Sequence, residues 1–151
     1  LEQYLRYLTP LEAEPFSALL KEPLSSHGID DKSENEHPNV RLLIKRMDTL
    51  LANDDAAGVL HTSASIFETL AKNVVHDKAV QDQTLGAFFD RYRRESELPD
   101  EILSYVHATY KRRNTEPLAG HGSTKAPTYT MKEARALVDL TKTFVRIERR
   151  L

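Results

Sequence analysis

An all-α antiparallel bundle of four to five helices, with a short helical N-terminal extension, is predicted by three observations. From Pro38 onward apolar residues recur at three- and four-residue steps; no stretch alternates as a strand would; and each apolar stripe is bounded by a proline, an Asn/Asp cluster or a capping box. Short connections between most of these stripes imply antiparallel neighbours. The 151 residues suit one domain with a self-sufficient core, divided into an extension and linker over 1–36 and a bundle over 37–151.

In the extension, Leu1, Leu5 and Leu8 line a short helix, and Thr9-Pro10-Leu11-Glu12 carries the cap, first-turn proline and capping-box glutamate of a second start. Pro15 and Pro23 keep the region broken, and Ser25 to His37 is almost wholly polar, as a linker is. In the first bundle helix Val40, Leu43, Ile44, Met47, Leu50 and Leu51 form one stripe, and Asn53-Asp54-Asp55 ends it and caps the next. Leu60, Ala64, Phe67, Leu70, Ala71 and Val74 make the second stripe, stopping near His76-Asp77. A third, shorter helix runs from Thr84 to Glu95 with Leu85, Phe88, Phe89 and Tyr92 inward.

Pro99 is placed to open a fourth helix, with Asp100 and Glu101 complementing the positive end of the helix dipole. Its seam of Leu103, Val106 and Tyr110 continues in phase to Arg113, which therefore points along the inner face. Pro117 requires that helix to end by Glu116, and Gly120 and Gly122 flank His121 in a loop running to Thr130. Thr130-Met131-Lys132-Glu133 is a capping box for the last helix, whose seam is Leu137, Leu140, Phe144, Ile147 and Leu151. Such a seam serves an intramolecular core or a dimer contact. The long connection over 114–129 stands out, because long loops in compact domains are often functional.

Composition narrows the chemistry. With no cysteine, disulfides, thiolate zinc sites and thiol nucleophiles are excluded, and a reducing cytoplasm fits. No apolar run approaches the ~20 residues of a membrane helix and no signal pattern opens the chain, so a soluble, cytoplasmic protein without membrane contact is expected. Leu1 in place of methionine points to a processed chain or a piece of a longer protein. The net charge of −2 gives no whole-protein attraction to nucleic acid. Six cations nevertheless fall within 91–113 (Arg91, Arg93, Arg94, Lys111, Arg112, Arg113), interspersed with Glu95, Glu97, Asp100 and Glu101. That run is either a solvated mixed-charge surface or a local phosphate-facing patch.

The segment Arg112-Arg113-Asn114-Thr115-Glu116-Pro117-Leu118-Ala119-Gly120-His121-Gly122 sets an arginine, an amide and a histidine at a helix end. RNA carries its own nucleophile, the 2′-hydroxyl, so a cleaving enzyme needs proton transfer and charge stabilisation more than a metal. Histidine, with an ordinary pKa of about 6.5, suits the first task. Arginine suits the second, because its planar fork donates two parallel hydrogen bonds to phosphate oxygens. The same segment is also what a plain helix end and polar loop look like. Glu68 and Lys72, four apart on the second helix, form an ordinary helix-face pair, or else Glu68 anchors the Arg113 fork from across the bundle.

The remaining chemistry-bearing residues are weaker. His27 and His37 lie in the linker, His61 and His107 in helices and His76 at a helix end, where structural or solvent roles are expected. No pair has metal-ligand spacing, no glycine-rich phosphate loop is present, and Ser63 and Ser65 have no nearby base. Neither a metal nor a cofactor is implied.

Arg113-Asn114 and His121-Gly122 at the end of one helix, with Glu68-x-x-x-Lys72 on an earlier one, resemble the signature of the HEPN superfamily (higher eukaryotes and prokaryotes nucleotide-binding). The abortive-infection C-terminal branch is the most similar, and the runs His37-Pro38, Leu50-Leu51-Ala52-Asn53-Asp54 and Ser63 to Leu70 share its texture over roughly 37–151. The resemblance implies a dimer that brings two arginine-histidine sets into one cleft. It further implies a metal-independent endoribonuclease, commonly a toxin or phage-defence effector, with RNA as substrate and a partner domain or antitoxin outside this chain. By position, Arg113 would polarise the scissile phosphate, His121 would act as acid or base, and Asn114 would position them. Glu68 and Lys72 would support the site, and Lys111 and Arg112 would meet the substrate. Seven residues separate Arg113 from His121 here, against about four to six in the family pattern. A non-catalytic dimerisation or RNA-binding module, or a plain helical adaptor, are the competing readings.

Overall fold

Helix ends in this chain are set by local polar groups, and most act as their sequence positions require. The computed structural model describes residues 37–150; the expectations for 1–36 and for Leu151 lie outside the described residues. Five helices are present among the described residues: α1 (Pro38–Ala52), α2 (Ala56–Val75), α3 (Leu85–Glu95), α4 (Asp100–Thr115) and α5 (Met131–Arg150). A 3₁₀ turn at Lys78–Val80 follows α2, and no strand occurs among the described residues.

Pro38 stands at the start of α1, where its missing N–H costs nothing, and His37 Nδ1 accepts the Asn39 N–H at 3.1 Å. Asn53 closes α1, and Asp55 opens α2 by accepting the Gly58 N–H at 2.9 Å. Gly58 leaves room for that cap: a Cβ there would lie 2.4 Å from the Asp55 carboxylate and displace it. The capping box of α5 is reciprocal, Glu133 N–H donating to Thr130 Oγ1 at 3.1 Å and Thr130 N–H to Glu133 at 2.9 Å. Pro99 caps α4 from just outside, one residue earlier than a first-turn position. Thr84 makes no side-chain cap to α3; the Leu85 N–H is taken instead by Glu68 of α2, at 3.1 Å.

The helix α2 is the axis of the bundle, touching all four others. Its buried residues therefore fall on nearly every face, Val59, Leu60, Ser63, Ala64, Ile66 and Phe67 among them. On one side Val59 and Ile66 meet Val40 and Met47 of α1 and Val138 and Val145 of α5. On the other, Leu60, Phe67 and Ala71 meet Phe88, Phe89 and Tyr92 of α3, Leu103 and Val106 of α4 and Phe144 of α5. Phe67 and Phe144 tilt against each other at 5.9 Å, and truncating a buried phenylalanine of this kind costs about 3–5 kcal/mol. One polar node interrupts the first cluster, where Ser63 Oγ meets Thr141 Oγ1 at 3.1 Å and the Met47 sulfur at 3.2 Å. Phe88 departs from helical geometry (φ −120°, ψ 16°), so α3 is kinked where its aromatic side chains turn into the core.

Among the described residues no helix is long and apolar enough to cross a membrane.

Candidate functional site

The connection from Glu116 to Thr130 is held down by one buried carboxylate. Glu116 receives the N–H and hydroxyl of Thr128 and, at 2.6 Å, the N–H of Tyr129, while Arg112 Nε lies 3.6 Å away. Burial pushes its pKa up, but the hydrogen bonds from Thr128 and Tyr129 and the charge of Arg112 outweigh it, and the carboxyl titrates below its ordinary range. The far end of the loop is thus fastened to the end of α4. This clasp was not foreseen in the sequence, where Glu116 reads only as the residue that must leave the helix before Pro117.

Within the loop, Ala119 is buried and Gly120 presses on the last turn of α4. A Cβ on Gly120 would lie 3.3 Å from the Arg113 carbonyl oxygen and 3.5 Å from its Cγ. The fold-back takes up the seven-residue gap, so that the residue before His121 touches Arg113. Leu118 carries the turn in the left-handed region (φ 68°) while 60% exposed. For a branched, bulky side chain that conformation stores strain of about 1–3 kcal/mol.

Arg113 lies along α4 with its guanidinium 5.0 Å over the Tyr110 ring, as its helical phase predicted. Its Nε is buried without a hydrogen-bond partner, and Nη2 makes a long 3.4 Å bond to Asn114 Oδ1. Asn114 is therefore beside the guanidinium it was expected to orient. The expected tie from Glu68 to Arg113 is not made, because Tyr110, one turn earlier, takes the position. Its hydroxyl donates to Glu68 Oε2 at 3.0 Å, and burial followed by this bond raises the phenol pKa, keeping it a donor. Glu68 also accepts from Lys72 Nζ at 3.2 Å and from the Leu85 N–H. Glu68 and Lys72 do pair, yet what they brace is the α2–α3–α4 junction beneath Tyr110.

His121 is exposed and lines an open cleft of about 430 Å³ together with Arg46 of α1 and Gly58 and His61 of α2. Arg113 is not among the residues lining that cleft. The loop therefore seats Gly120 against Arg113 and leaves His121 lining the same cleft as His61. From sequence His61 reads as a helix histidine with a structural or solvent role; the packing of α1 and the loop around it places it at the same cleft as His121.

The cationic run over 91–113 is partly neutralised. Arg91 pairs with Asp77 at 2.7 Å and Glu95 at 3.4 Å, Arg93 with Asp100 at 3.4 Å, and Arg112 with Glu116 while lying 5.2 Å over the Tyr129 ring. Arg112, expected at the substrate, takes part in the loop clasp, with Nε 3.6 Å from Glu116 Oε2 and its side chain still 41% exposed. Lys111 is exposed and has no ion pair among the described residues. His107 stacks on Phe89 at 4.1 Å; burial, then Lys111 and Arg93, lower its pKa and favour the neutral ring. No group of three or more His, Cys, Asp or Glu able to hold a metal occurs among the described residues.

Set against models of protein families, curated proteins and solved structures, the chain matches none.

Proposed function

We propose that this chain is a metal-independent endoribonuclease domain, working as a homodimer in an abortive-infection, phage-defence or toxin setting. The observation that carries the reading is the fold-back of the loop: Glu116 clasps its far end, Gly120 seats on Arg113, and His121 is held at an open cleft one residue away. A histidine at a solvent-reached cleft suits proton transfer to and from the RNA sugar oxygens. An arginine fork at the adjoining helix end suits the phosphate charge that develops as the bond breaks. Asn114 steadies the fork, and Lys111 meets the RNA backbone. The 2′-hydroxyl supplies the nucleophile, and the HEPN-like motif supports the assignment.

A second reading, a non-catalytic RNA-binding or dimerisation module serving a partner domain or antitoxin, is favoured by one observation. The Arg113 guanidinium rests on Tyr110 and stays outside the His121 cleft. Single-stranded RNA incubated with the purified chain in excess EDTA separates the two. Cleavage lost in both Arg113→Ala and His121→Ala supports the enzyme, whereas RNA binding without cleavage supports the module.

A further inference from the structure

We propose that His61, which lines the same cleft as His121, is the second proton-transfer group of the site, with Arg46 as the cation that holds the scissile phosphate there. This rests on the ribonuclease reading above and adds to it a second imidazole and a second arginine.

The helix α2 is buried on nearly every side, and Leu60, Thr62, Ser63 and Ala64 around His61 are all covered. His61 is exposed at the place where α1 and the Leu118–His121 turn part to leave the cleft. The cleft, about 430 Å³, is shallow and opens widely to solvent, as a site that meets a single strand at its surface does. Among the described residues neither the His61 nor the His121 imidazole has a hydrogen-bond partner, and Arg46 has no ion pair. The hydroxyl of Ser65 donates to the His61 carbonyl, at 3.2 Å, which leaves the ring unoccupied. One arginine able to bind an anion and two imidazoles able to exchange protons thus line one opening, and among the described residues that line it none is a carboxylate. Exposed Leu118 stands on its rim and offers an apolar surface to a base.

The step balances with these groups alone. The 2′-oxygen bonds to phosphorus as the P–O5′ bond breaks. One imidazole, neutral at the outset, takes the 2′-hydroxyl proton, and the other, protonated, delivers a proton to O5′. The products are a 2′,3′-cyclic phosphate and a 5′-hydroxyl, and solvent returns each ring to its starting state. Arg46, always charged, holds the non-bridging oxygens.

The test uses the full chain and a defined single-stranded RNA in EDTA under single-turnover conditions. His61→Ala is expected to lower the cleavage rate by about 10²–10⁴-fold, the usual contribution of a positioned acid or base, with binding of the uncleavable 2′-deoxy analogue unchanged. Added imidazole is expected to restore part of the lost rate, which it does not do for a residue that only supports the fold. Independently of turnover, uridine 3′-monophosphate is expected to shift the ring-proton resonances of His61 and His121 with one shared dissociation constant. Full activity in His61→Ala, with wild-type cleavage intact, overturns the assignment and leaves the ribonuclease standing. A loss that imidazole does not rescue, or a ligand shift at His121 alone, overturns it as well. Wild-type protein that cleaves no RNA overturns the ribonuclease reading itself, and this step with it.

Discussion

Removing the Glu116 carboxylate is expected to release the loop that carries His121 without dissolving the bundle. The group is 4% exposed, with Oε1 accepting two backbone N–H groups, from Thr128 and Tyr129, and Oε2 accepting the Thr128 hydroxyl. Hydrogen bonds to a charged group contribute about 1.5–3 kcal/mol each, but these three share one carboxylate and close one loop, so they do not add. A loss of about 3 kcal/mol is expected for Glu116→Ala, near the lower end for breaking a buried ion pair. Glu116→Gln is expected to cost only about 1–2 kcal/mol. Its amide oxygen still accepts both N–H groups, and its amino group faces the Thr128 hydroxyl, which turns from donor to acceptor. At about 2–4 °C per kcal/mol for a chain of this size, the alanine variant melts roughly 10 °C lower. Urea denaturation gives the stability, and hydrogen exchange at the Thr128 and Tyr129 amides reports the loop directly. An alanine variant that keeps both amides protected and loses less than about 1 kcal/mol refutes the clasp.

Three further outcomes follow from the same structure. Glu116 titrates below the ordinary carboxyl value of 4.5, so its contribution is present above that pH and is lost as pH falls through the lower folded value; Glu116→Gln flattens that acid limb in pH-dependent melts. Glu148 behaves oppositely: burial raises its pKa despite the Tyr92 and Ser96 hydroxyls that donate to it, so the folded state holds the proton more tightly and stability declines as pH rises from 4.5 through the folded value. Glu148→Gln should remove that decline, and a variant with an unchanged pH profile contradicts the assignment. Gly58→Ala gains about 0.5–1 kcal/mol of helix propensity and loses about 1 kcal/mol of the Asp55 cap, leaving wild-type stability nearly unchanged. In an Asp55→Ala background the same change should stabilise by the full propensity gain, and equal effects in both backgrounds remove the steric explanation.

The parts of the fold carried by neighbouring residues were legible in the sequence. Pro38, Asp55 and the Thr130–Glu133 box each act within one helical turn, and the stripes of α2 and α4 follow from their own period. The kink at Phe88 was not legible, since neither a proline nor a glycine–serine pair marks it in the sequence. The site shows the same division. Helical phase alone turned Arg113 along the inner face of α4, but it carried no information on Tyr110 reaching Glu68 first. Glu116 and its partners are 12 and 13 residues apart, a separation at which no local pattern operates. His61 and His121 belong to different elements, and they share a cleft through the packing of the loop, where Gly120 lies against α4 and His121 lines the opening beside α1 and α2.

The most direct measurement is cleavage of a defined single-stranded RNA by the purified chain in excess EDTA, with the product ends identified by mass spectrometry. A 2′,3′-cyclic phosphate and a 5′-hydroxyl are expected from the wild type, and no product from His121→Ala or Arg113→Ala proteins of unchanged melting temperature and oligomeric state. Intact RNA after incubation with folded wild-type protein, or equal cleavage by the His121→Ala variant, contradicts a ribonuclease built on this loop.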